Sequence, residues 1–483
     1  MMEKDDLLQS FIKRSVSLTR DRLNGYVYAD EGKRFNQRYA FIRFEKYITD
    51  FQKGLSNKRW VIVPGLRGTG KTTLLAQLFY RLSDSGVPLA RMPYASMDEL
   101  TGLLGVSLRE FLDAYEIYLG KNFESLTDSE KIFLFIDEAH YDKNWSLTLK
   151  NLYDRTKMVF IFTTGSSSIS LQTSPDTARR SETERLFPLS LTEYLLLKRG
   201  IFPKRGVGKS LGDAVFSSRT AKDAHDSIGS MRKGINEYTA NIKSSDLEEY
   251  LRVGTLPFSI PYTSSEDVYE KIASMVEKTV AEDISTMMRF TKKMQIKMSN
   301  LIVLLAVSDR MSYQSLCNAL GDITKPTLSR MIRGIEKAEL IHAVRPYGLP
   351  VKKIAKTPKY KFMAPSTRAA LLWQIGQLDN RAETSGKLLE DAVALYLYKL
   401  QKRHELFSFE FDPVEGGADF VVTMNDKSRI VLEVGYGDKG IDQAEKTMTR
   451  IKSKYGVIVS DRRLSLSADG RIVTIPKEWF LLM

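Results

Sequence analysis

The chain has 483 residues, 43% of them hydrophobic and 27% charged, a composition that excludes wholesale disorder and predicts about three globular domains. Lysine and arginine outnumber aspartate and glutamate by 72 to 59, which gives a net charge of +13. A surplus of this size favours polyanionic partners, with nucleic acid more strongly indicated than an anionic membrane, although many basic proteins bind neither. The single cysteine, Cys317, excludes an internal disulfide and a Cys-rich metal site, and the four histidines show no ligand spacing.

Residues 1–55 carry apolar side chains at helical spacing, among them Phe11, Val16 and Phe41. This pattern predicts packed helices that lead into the next domain. The N-terminus lacks the apolar core of a signal peptide, and the longest apolar runs, such as residues 301–307, are far shorter than the roughly 20 residues of a membrane span. We therefore expect a cytoplasmic protein that does not enter a membrane.

Residues 56–195 alternate short apolar runs with helical stretches. The apolar runs are WVIVPG, FLFIDEAH and MVFIFTTGS, and the helical stretches between them are TTLLAQLFYRL and SLTLKNLYD. Such alternation is typical of an α/β fold in which helices are wound around a parallel sheet.

A phosphate-binding loop is predicted between the first strand and the first helix of this domain. The segment GLRGTGKT satisfies the pattern G-x-x-x-x-G-K-[ST] in the strand-to-helix context that gives the pattern its meaning. Its glycines let backbone N–H groups converge on phosphate oxygens at the positive end of the helix. Lys71 can reach the β- and γ-phosphates of ATP, and the Thr72 hydroxyl can bind Mg²⁺. The predicted nucleotide-binding residues are Gly65, Leu66, Arg67, Gly68, Thr69, Gly70, Lys71, Thr72 and Thr73.

Two carboxylates follow the second apolar run. The letters IFLFI predict a buried central strand, and Asp137 and Glu138 stand at its carboxyl end, where open α/β sheets bind ligands. We expect Asp137 to hold Mg²⁺ and Glu138 to activate the attacking water as a general base. The chain is therefore expected to bind ATP with Mg²⁺ and to hydrolyse it.

The third strand ends in a polar cluster, TTGSSS, and an arginine-rich segment follows. Thr164 and Ser166 are candidates to contact the γ-phosphate or orient the water, although turn chemistry alone also favours this cluster.

Arg179, Arg180 or Arg185 is a candidate arginine finger for the ATP of a neighbouring subunit. A solvated basic patch explains the same three arginines.

Together these segments resemble a prokaryotic family of AAA-type ATPases that is abundant in archaea. The resemblance rests on GLRGTGKTTLLAQL, FLFIDEAHYDKNWSLTLKNLYD, FTTGSSS and RLFPLSLTEYL, and it continues into LEEYLRVGTLPFS, where Thr255 replaces a glycine of the family's pattern. It implies a P-loop core of the AAA/ASCE type with a helical lid, then a winged helix and a small α/β domain like that of restriction endonucleases. Roles known or suspected in the family centre on DNA, mobile elements and defence.

The resulting domain prediction has five parts. They are an N-terminal helical segment (1–55), the ATPase core (56–195), a helical lid (196–290), a winged helix-turn-helix (291–377) and a restriction-endonuclease-like domain (378–483). Within the lid, residues 200–245 are polar, with glycine, serine and basic clusters, and we interpret them as an irregular or partly mobile insertion.

The winged-helix prediction rests on charge and on the order of elements. Between Thr291 and Lys361 there are 14 basic and 4 acidic residues, a net charge of +10. Two amphipathic helices, SYQSLCNAL and PTLSRMIRGIEKAEL, precede a strand, a basic loop and a returning strand. The side chains expected at DNA are Thr327, Ser329, Arg330 and Arg333 on the second helix, and Lys352, Lys353 and Lys356 on the wing. Winged helices also mediate protein contacts, so that alternative stays open.

The C-terminal domain carries acidic residues on a helix and two strands. Glu390, Asp419 and Glu433 resemble the acidic set of the PD-(D/E)xK nucleases, and Asp419 and Glu433 could hold a second metal ion. Gly435 stands where those enzymes have lysine, although Lys439 could replace it from the following turn. We favour a degenerate nuclease fold that binds DNA over one that cleaves it.

The functional expectation is a Mg²⁺-dependent ATPase that binds double-stranded DNA and acts as a homo-oligomer. It would couple ATP binding and hydrolysis to DNA remodelling or to mobile-element or defence processes. One alternative is a slow nucleotide-state signalling switch whose C-terminal domain binds protein. The other is an ATP-regulated DNA nuclease.

Overall fold

The computed structural model describes residues 2–30, 32–166, 175–203, 206–349, 356–379, 382–437 and 440–483. It divides the chain into two units, Met1–Phe187 and Pro188–Met483. The first unit contains one sheet with an apolar core on each face, and the second unit contains two sheets and a further apolar core.

The first unit begins with helices and continues as alternating strands and helices. Its elements in chain order are α1 (Met2–Leu23), α2 (Tyr39–Gln52), β1 (Trp60–Pro64), α3 (Lys71–Asp84), β2 (Tyr94–Ser96), α4 (Met97–Gly102), α5 (Leu108–Leu119), β3 (Ile132–Asp137), α6 (Trp145–Arg155), β4 (Val159–Gly165), α7 (Pro175–Ala178) and β5 (Glu182–Thr183). The predicted N-terminal helices and the predicted strands of the α/β core are confirmed.

The strands of this unit pair in parallel in the order β2–β3–β4–β1–β5. β4 therefore lies between the strand that precedes the phosphate loop and the strand that ends in the two carboxylates. Val63 of β1 pairs with Thr164 of β4, and Ile136 of β3 pairs with Thr163. The carboxyl ends of β1, β3 and β4 consequently lie side by side at one edge of the sheet.

Both faces of this sheet are covered. Because successive residues of a strand face opposite sides, Trp60 and Ile62 of β1 pack in one core with Trp145. Val61 and Val63 pack on the other side with residues of α3. This double burial explains why β1, β3 and β4 are apolar along most of their length.

The second unit contains more helices and two further sheets. Its elements are α8 (Leu191–Arg199), α9 (Val207–Phe216), α10 (Ala221–Ser230), α11 (Arg232–Thr239), α12 (Ser244–Glu249), α13 (Ser265–Lys278), α14 (Ser285–Met288), α15 (Lys292–Val307), α16 (Tyr313–Leu320), α17 (Lys325–Lys337), β6 (Ile341–Val344), β7 (Lys359–Phe362), α18 (Pro365–Gln374), α19 (Ala382–Lys402), β8 (Ser408–Glu410), β9 (Phe420–Thr423), β10 (Arg429–Val434), α20 (Asp442–Ile451), β11 (Tyr455–Ser460), β12 (Ser465–Leu466), β13 (Ile472–Pro476) and α21 (Lys477–Phe480).

The larger sheet of the second unit is mixed. Its strands lie in the order β12–β13–β11–β10–β9–β8, with β10, β11 and β13 parallel and the strands at both edges antiparallel to their neighbours. β6 and β7 form a separate antiparallel pair, in which Ile341 pairs with Phe362 and Val344 with Lys359.

The expectation of an irregular insertion at residues 200–245 is wrong for most of that segment, because α9, α10 and α11 occupy it. Apolar residues are sparse in this segment, but in each helix they recur on one face. Val215 of α9 and Ile228 of α10 are therefore buried although their neighbours in sequence are mostly polar. α10 packs against β11, β12 and β13. The Tyr455 hydroxyl of β11 donates to the Val215 carbonyl oxygen over 2.5 Å. The segment is therefore part of the helical layer on the mixed sheet.

Candidate nucleotide site and nucleic-acid interface

The phosphate loop lies between β1 and α3, as its pattern predicted. Gly68 and Gly70 both have φ of +85°, a left-handed conformation that glycine adopts without a Cβ clash. At Gly65 a Cβ would lie 2.4 Å from the Leu186 carbonyl oxygen, so a side chain does not fit between the loop and the segment after β5. The loop has the backbone shape that turns N–H groups toward a phosphate.

Lys71 is held close to the loop. It is 4% exposed, and its ammonium donates to the carbonyl oxygens of Gly65 at 3.1 Å and Leu66 at 3.4 Å. These contacts keep the positive charge within reach of a phosphate bound by the loop. Arg67 and Thr73 of the predicted set are half-buried.

Thr72, Asp137 and Thr164 meet at the carboxyl edge of the sheet. The Thr72 hydroxyl donates to Asp137 Oδ2 over 2.8 Å, and the Thr164 hydroxyl donates to Asp137 Oδ1. An alcohol and a carboxylate at the end of a phosphate loop are oxygen ligands of the kind that Mg²⁺ takes. The donor set of Thr72 and Asp137 therefore fits one magnesium ion.

Burial raises the pKa of Asp137 to about 6, and the neighbouring charge of Glu138 adds to the increase. Hydrogen bonds from Thr164 and Thr72 and the charge of Lys71 act in the opposite direction. A divalent cation beside the carboxylate would favour its ionised form. A cation bound at Asp137 would therefore offset the loss of solvent that burial causes.

Glu138 has an unusual backbone conformation. Its φ of +48° lies in the left-handed region, which costs a non-glycine residue on the order of 1 kcal/mol and is often found at functional sites. Its N–H donates to Asp137 Oδ1 at 3.2 Å and Thr164 Oγ1 at 3.3 Å. Its Oε2 lies 3.3 Å from His140 Nδ1. Sequence reasoning missed His140, whose one signal was its position two residues after Glu138.

The polar end of β4 divides between two environments. Thr163 is turned away from the site, since its hydroxyl oxygen accepts a hydrogen bond from Trp60 Nε1 at 3.3 Å. Thr164 faces Asp137, and Ser166 follows the strand and is 5% exposed. The structure brings Thr164 together with the Asp137 carboxylate and the Glu138 N–H, and it buries Ser166 directly after β4.

The three candidate finger arginines differ in their contacts. Arg179 forms an ion pair with Asp176, and Arg180 forms one with Asp154, each at 2.6 Å. Arg185 is half-buried and follows β5.

Arg330, one of the residues predicted to face DNA, also contacts its own chain. Its Nη2 donates to the Met288 carbonyl oxygen over 2.5 Å, and its guanidinium lies 5.2 Å from the centroid of the Phe290 ring. The side chain therefore helps to hold α17 on the end of α14.

The other predicted DNA contacts vary in exposure. On α17, Arg333 is exposed, Ser329 is half-buried, and the Thr327 hydroxyl lies 3.0 Å from the Thr324 hydroxyl. On the predicted wing, Lys356 is exposed, with its ammonium 3.4 Å from the Pro413 carbonyl oxygen. Three predicted lysines, Lys352, Lys353 and Lys439, lie outside the described residues.

The C-terminal carboxylates lie beside lysines of β7. The Asp419 N–H donates to Glu433 Oε2 at 3.1 Å, which brings these two acidic residues together. Lys359 Nζ lies 3.6 Å from Asp419 Oδ1, and both side chains are largely buried. Burial lowers the pKa of Lys359, while the charges of Asp419 and Glu390 oppose that change. Sequence reasoning missed Lys359, since its contact with Asp419 spans 60 residues of chain.

Glu390 forms an ion pair with a second lysine of β7. Its Oε2 pairs with Lys361 Nζ at 2.5 Å, and Lys361 also pairs with Asp309.

Among the described residues, no group of three or more His, Cys, Asp and Glu side chains is arranged to hold a metal ion. Within the same part of the chain, no helix is long and apolar enough to cross a membrane.

The strand order and the contacts of Lys71, Thr72 and Asp137 define the first unit as a P-loop ATPase domain. The family model described as an AAA domain matches residues 57–195, so this domain is of the AAA type. Over nearly its whole length the chain belongs to the family of Uncharacterized protein MJ1637 of Methanocaldococcus jannaschii. The two share 36% identity over 481 residues, covering 99% of this chain and 94% of the relative.

A second family model, a domain of unknown function (DUF8612), matches residues 244–378. Among solved structures, the Walker-type ATPase of Pyrococcus abyssi is 14% identical, with a TM-score of 0.40 and coverage of 70% of this chain and 98% of that one. The Aeropyrum pernix ORC1 protein in complex with DNA is 15% identical, with a TM-score of 0.30 and coverage of 71% and 94%.

Proposed function

We propose that the first unit is a Mg²⁺-dependent ATPase. The observation that carries the proposal is that Lys71, Thr72, Asp137 and Glu138, drawn from two distant segments, converge at the carboxyl edge of one parallel sheet. P-loop ATPases use such a set to bind phosphates, hold a metal ion and activate water.

Each residue has a proposed role. Thr72 and Asp137 would hold Mg²⁺, which when bound neutralises the charge of the β- and γ-phosphates. Lys71 and the loop N–H groups would bind the phosphates, and Glu138 would accept a proton from the attacking water. Thr164 would orient Asp137 through its hydrogen bond. Ser166, buried just beyond β4, would help to orient the water near the γ-phosphate.

We also propose that the second unit binds double-stranded DNA through a winged helix. The support is the order α15, α16, α17, β6 and β7, together with the net charge of +10 between Thr291 and Lys361. Thr327, Ser329 and Arg333 of α17 would approach DNA, and the wing lysines would contact phosphates. Arg330 would contribute less because Met288 already accepts its hydrogen bond.

The C-terminal part is proposed to bind DNA without cleaving it. The topology of β8–β10 with β11 and β13 is of the kind expected for a restriction-endonuclease-like domain. However, Lys359 places an ammonium group 3.6 Å from Asp419, and that positive charge disfavours a metal ion at the same carboxylate. Gly435 leaves the usual lysine position without a side chain.

The joint proposal is tested by steady-state ATP hydrolysis with and without duplex DNA. A DNA-coupled ATPase is expected to turn over faster with DNA, and Lys71→Ala should abolish turnover in both conditions. Arg333→Ala should keep the basal rate and lose most of the stimulation. Slow turnover that DNA does not change would instead favour a nucleotide-state switch.

A further inference from the structure

Arg38 lies just before α2, 27 residues before the phosphate loop begins, yet its side chain reaches that loop. It is 8% exposed. Its Nη1 donates to the Thr69 carbonyl oxygen at 2.8 Å, and its Nη2 donates to the Phe187 carbonyl oxygen at 2.9 Å. A buried guanidinium therefore joins the phosphate loop to the segment that follows β5.

The contact with Thr69 fixes the direction of an N–H group. The Thr69 carbonyl and the Gly70 N–H belong to one planar trans peptide, so they point in opposite directions. When Arg38 holds the carbonyl on its own side of the loop, the Gly70 N–H must face the other way. That N–H immediately precedes Lys71, within the stretch whose N–H groups a phosphate would accept.

The Thr69–Gly70 peptide needs a restraint from outside the phosphate loop. Its orientation depends on ψ of Thr69 and φ of Gly70, and glycine rotates about φ more freely than other residues. Gly68, on the other side of Thr69, also has φ of +85°. Within the loop itself, the Thr69 N–H and hydroxyl are directed to Leu66 O, which leaves the carbonyl to be held from outside.

The other donor of Arg38 fixes the end of the first unit. The Leu186 N–H donates to the Pro64 carbonyl oxygen at 2.8 Å, so the segment before Phe187 already lies along the start of the loop. Phe187 is the last residue of the first unit. α2 is tied to the same segment through Glu184, which accepts from Tyr47 and pairs with Arg43.

We propose that Arg38 is a positioning residue for the nucleotide: its guanidinium orients the Thr69–Gly70 peptide for phosphate binding and links the loop to the last residue of the ATPase unit. The inference rests on the proposed ATPase function. It predicts that nucleotide affinity depends on a residue that does not itself touch the nucleotide.

The test compares Arg38→Gln with a matched variant, Arg59→Gln. Arg59 is also buried, at 7% exposure, and it donates to the Tyr153 carbonyl oxygen at 2.6 Å. It precedes β1 and so lies at the opposite edge of the sheet from the loop. The readouts are the melting temperature, the dissociation constant of ATP·Mg²⁺ by calorimetry, and hydrogen exchange of the peptide spanning residues 65–72.

We expect both variants to lower the melting temperature. Arg38→Gln should weaken ATP·Mg²⁺ binding by about tenfold or more, because a charged, buried hydrogen-bond donor is lost, and should speed exchange in the loop. Arg59→Gln should keep the wild-type affinity and exchange. Wild-type affinity in Arg38→Gln, or an equal loss of affinity in both variants, would overturn the inference.

Two further outcomes, an Arg38→Gln variant that does not fold and a wild-type protein that does not bind ATP·Mg²⁺, have different consequences for the inference. If Arg38→Gln does not fold, Arg38→Lys keeps the charge but cannot span both carbonyls, so it should bind ATP·Mg²⁺ more weakly than the wild type, and unchanged affinity would overturn the inference. If the wild-type protein itself does not bind ATP·Mg²⁺, the proposed ATPase function fails, and the role of Arg38 fails with it.

Discussion

The Thr72 hydroxyl donates a hydrogen bond to Asp137 Oδ2 over 2.8 Å, across 65 residues of sequence. Thr72 is the second residue of α3, the helix after the phosphate loop, and Asp137 is the last residue of β3. Their contact joins the phosphate-binding and carboxylate motifs into one site, where the two oxygen atoms would hold the proposed magnesium ion.

Replacing Thr72 with valine keeps the shape of the side chain but removes the hydroxyl. We expect Mg²⁺-dependent ATP hydrolysis to fall roughly tenfold or more, since a metal ligand and a partner of buried Asp137 are lost together. Thr72→Ser should retain most of the activity. The measurement is the hydrolysis rate across a Mg²⁺ titration, and equal rates in the two variants would exclude a role for the hydroxyl.

The phosphate loop and the strands were predictable because each is encoded in a short stretch of sequence. WVIVP is apolar throughout and IFLFID is apolar up to Asp137, and both strands prove to be buried on two faces. The helix α10 was missed because Ile228 and its buried neighbours stand among serine, lysine and aspartate, so composition concealed the helical period.

Contacts between distant segments were not predictable from one sequence. Arg38 reaches Thr69 and Phe187 across 31 and 149 residues, and no local pattern marks such a donor. Lys359 likewise meets Asp419 because β7 lies near the start of β9. Both contacts depend on how elements pack, which periodicity does not determine.

Lys361 is expected to be important for the stability of the second unit. It is 1% exposed and pairs with Asp309 and Glu390. Lys361→Met would leave these carboxylates without their shared cation, which should lower the free energy of unfolding by about 3 kcal/mol. Lys387→Met, which removes a more exposed pair with Glu383, should cost under about 1 kcal/mol. Urea unfolding measures both, and equal midpoints would contradict the prediction.

Arg333 is expected to contact a DNA phosphate. Arg333→Ala should weaken duplex binding several-fold and reduce the slope of log affinity against log salt by roughly 1. Fluorescence anisotropy at several salt concentrations provides the measurement. Arg109→Ala removes an exposed arginine from α5 of the first unit and should change neither quantity. An identical loss in both variants would point to net charge instead of a specific contact.

Arg185 is a candidate arginine finger for the ATP of a neighbouring subunit, and it follows β5, the strand that pairs with β1 ahead of the phosphate loop. Arg185→Ala should lower turnover by about 10³-fold without changing the oligomeric state measured by light scattering. Mixing it with Lys71→Ala should restore activity, since a Lys71→Ala subunit still donates Arg185 to an intact neighbouring site. Arg179→Ala is the control. If Arg185→Ala hydrolyses ATP at the wild-type rate, Arg185 is not an arginine finger.

The central claim is that the first unit hydrolyses ATP with Glu138 as the general base. The most direct test is single-turnover hydrolysis of ATP·Mg²⁺ by the wild type, Glu138→Gln and the exposed control Glu124→Gln. We predict that Glu138→Gln binds ATP·Mg²⁺ normally but hydrolyses it at least about 100-fold more slowly, while Glu124→Gln matches the wild type. Hydrolysis by Glu138→Gln at the wild-type rate, or none by the wild type, would contradict the claim.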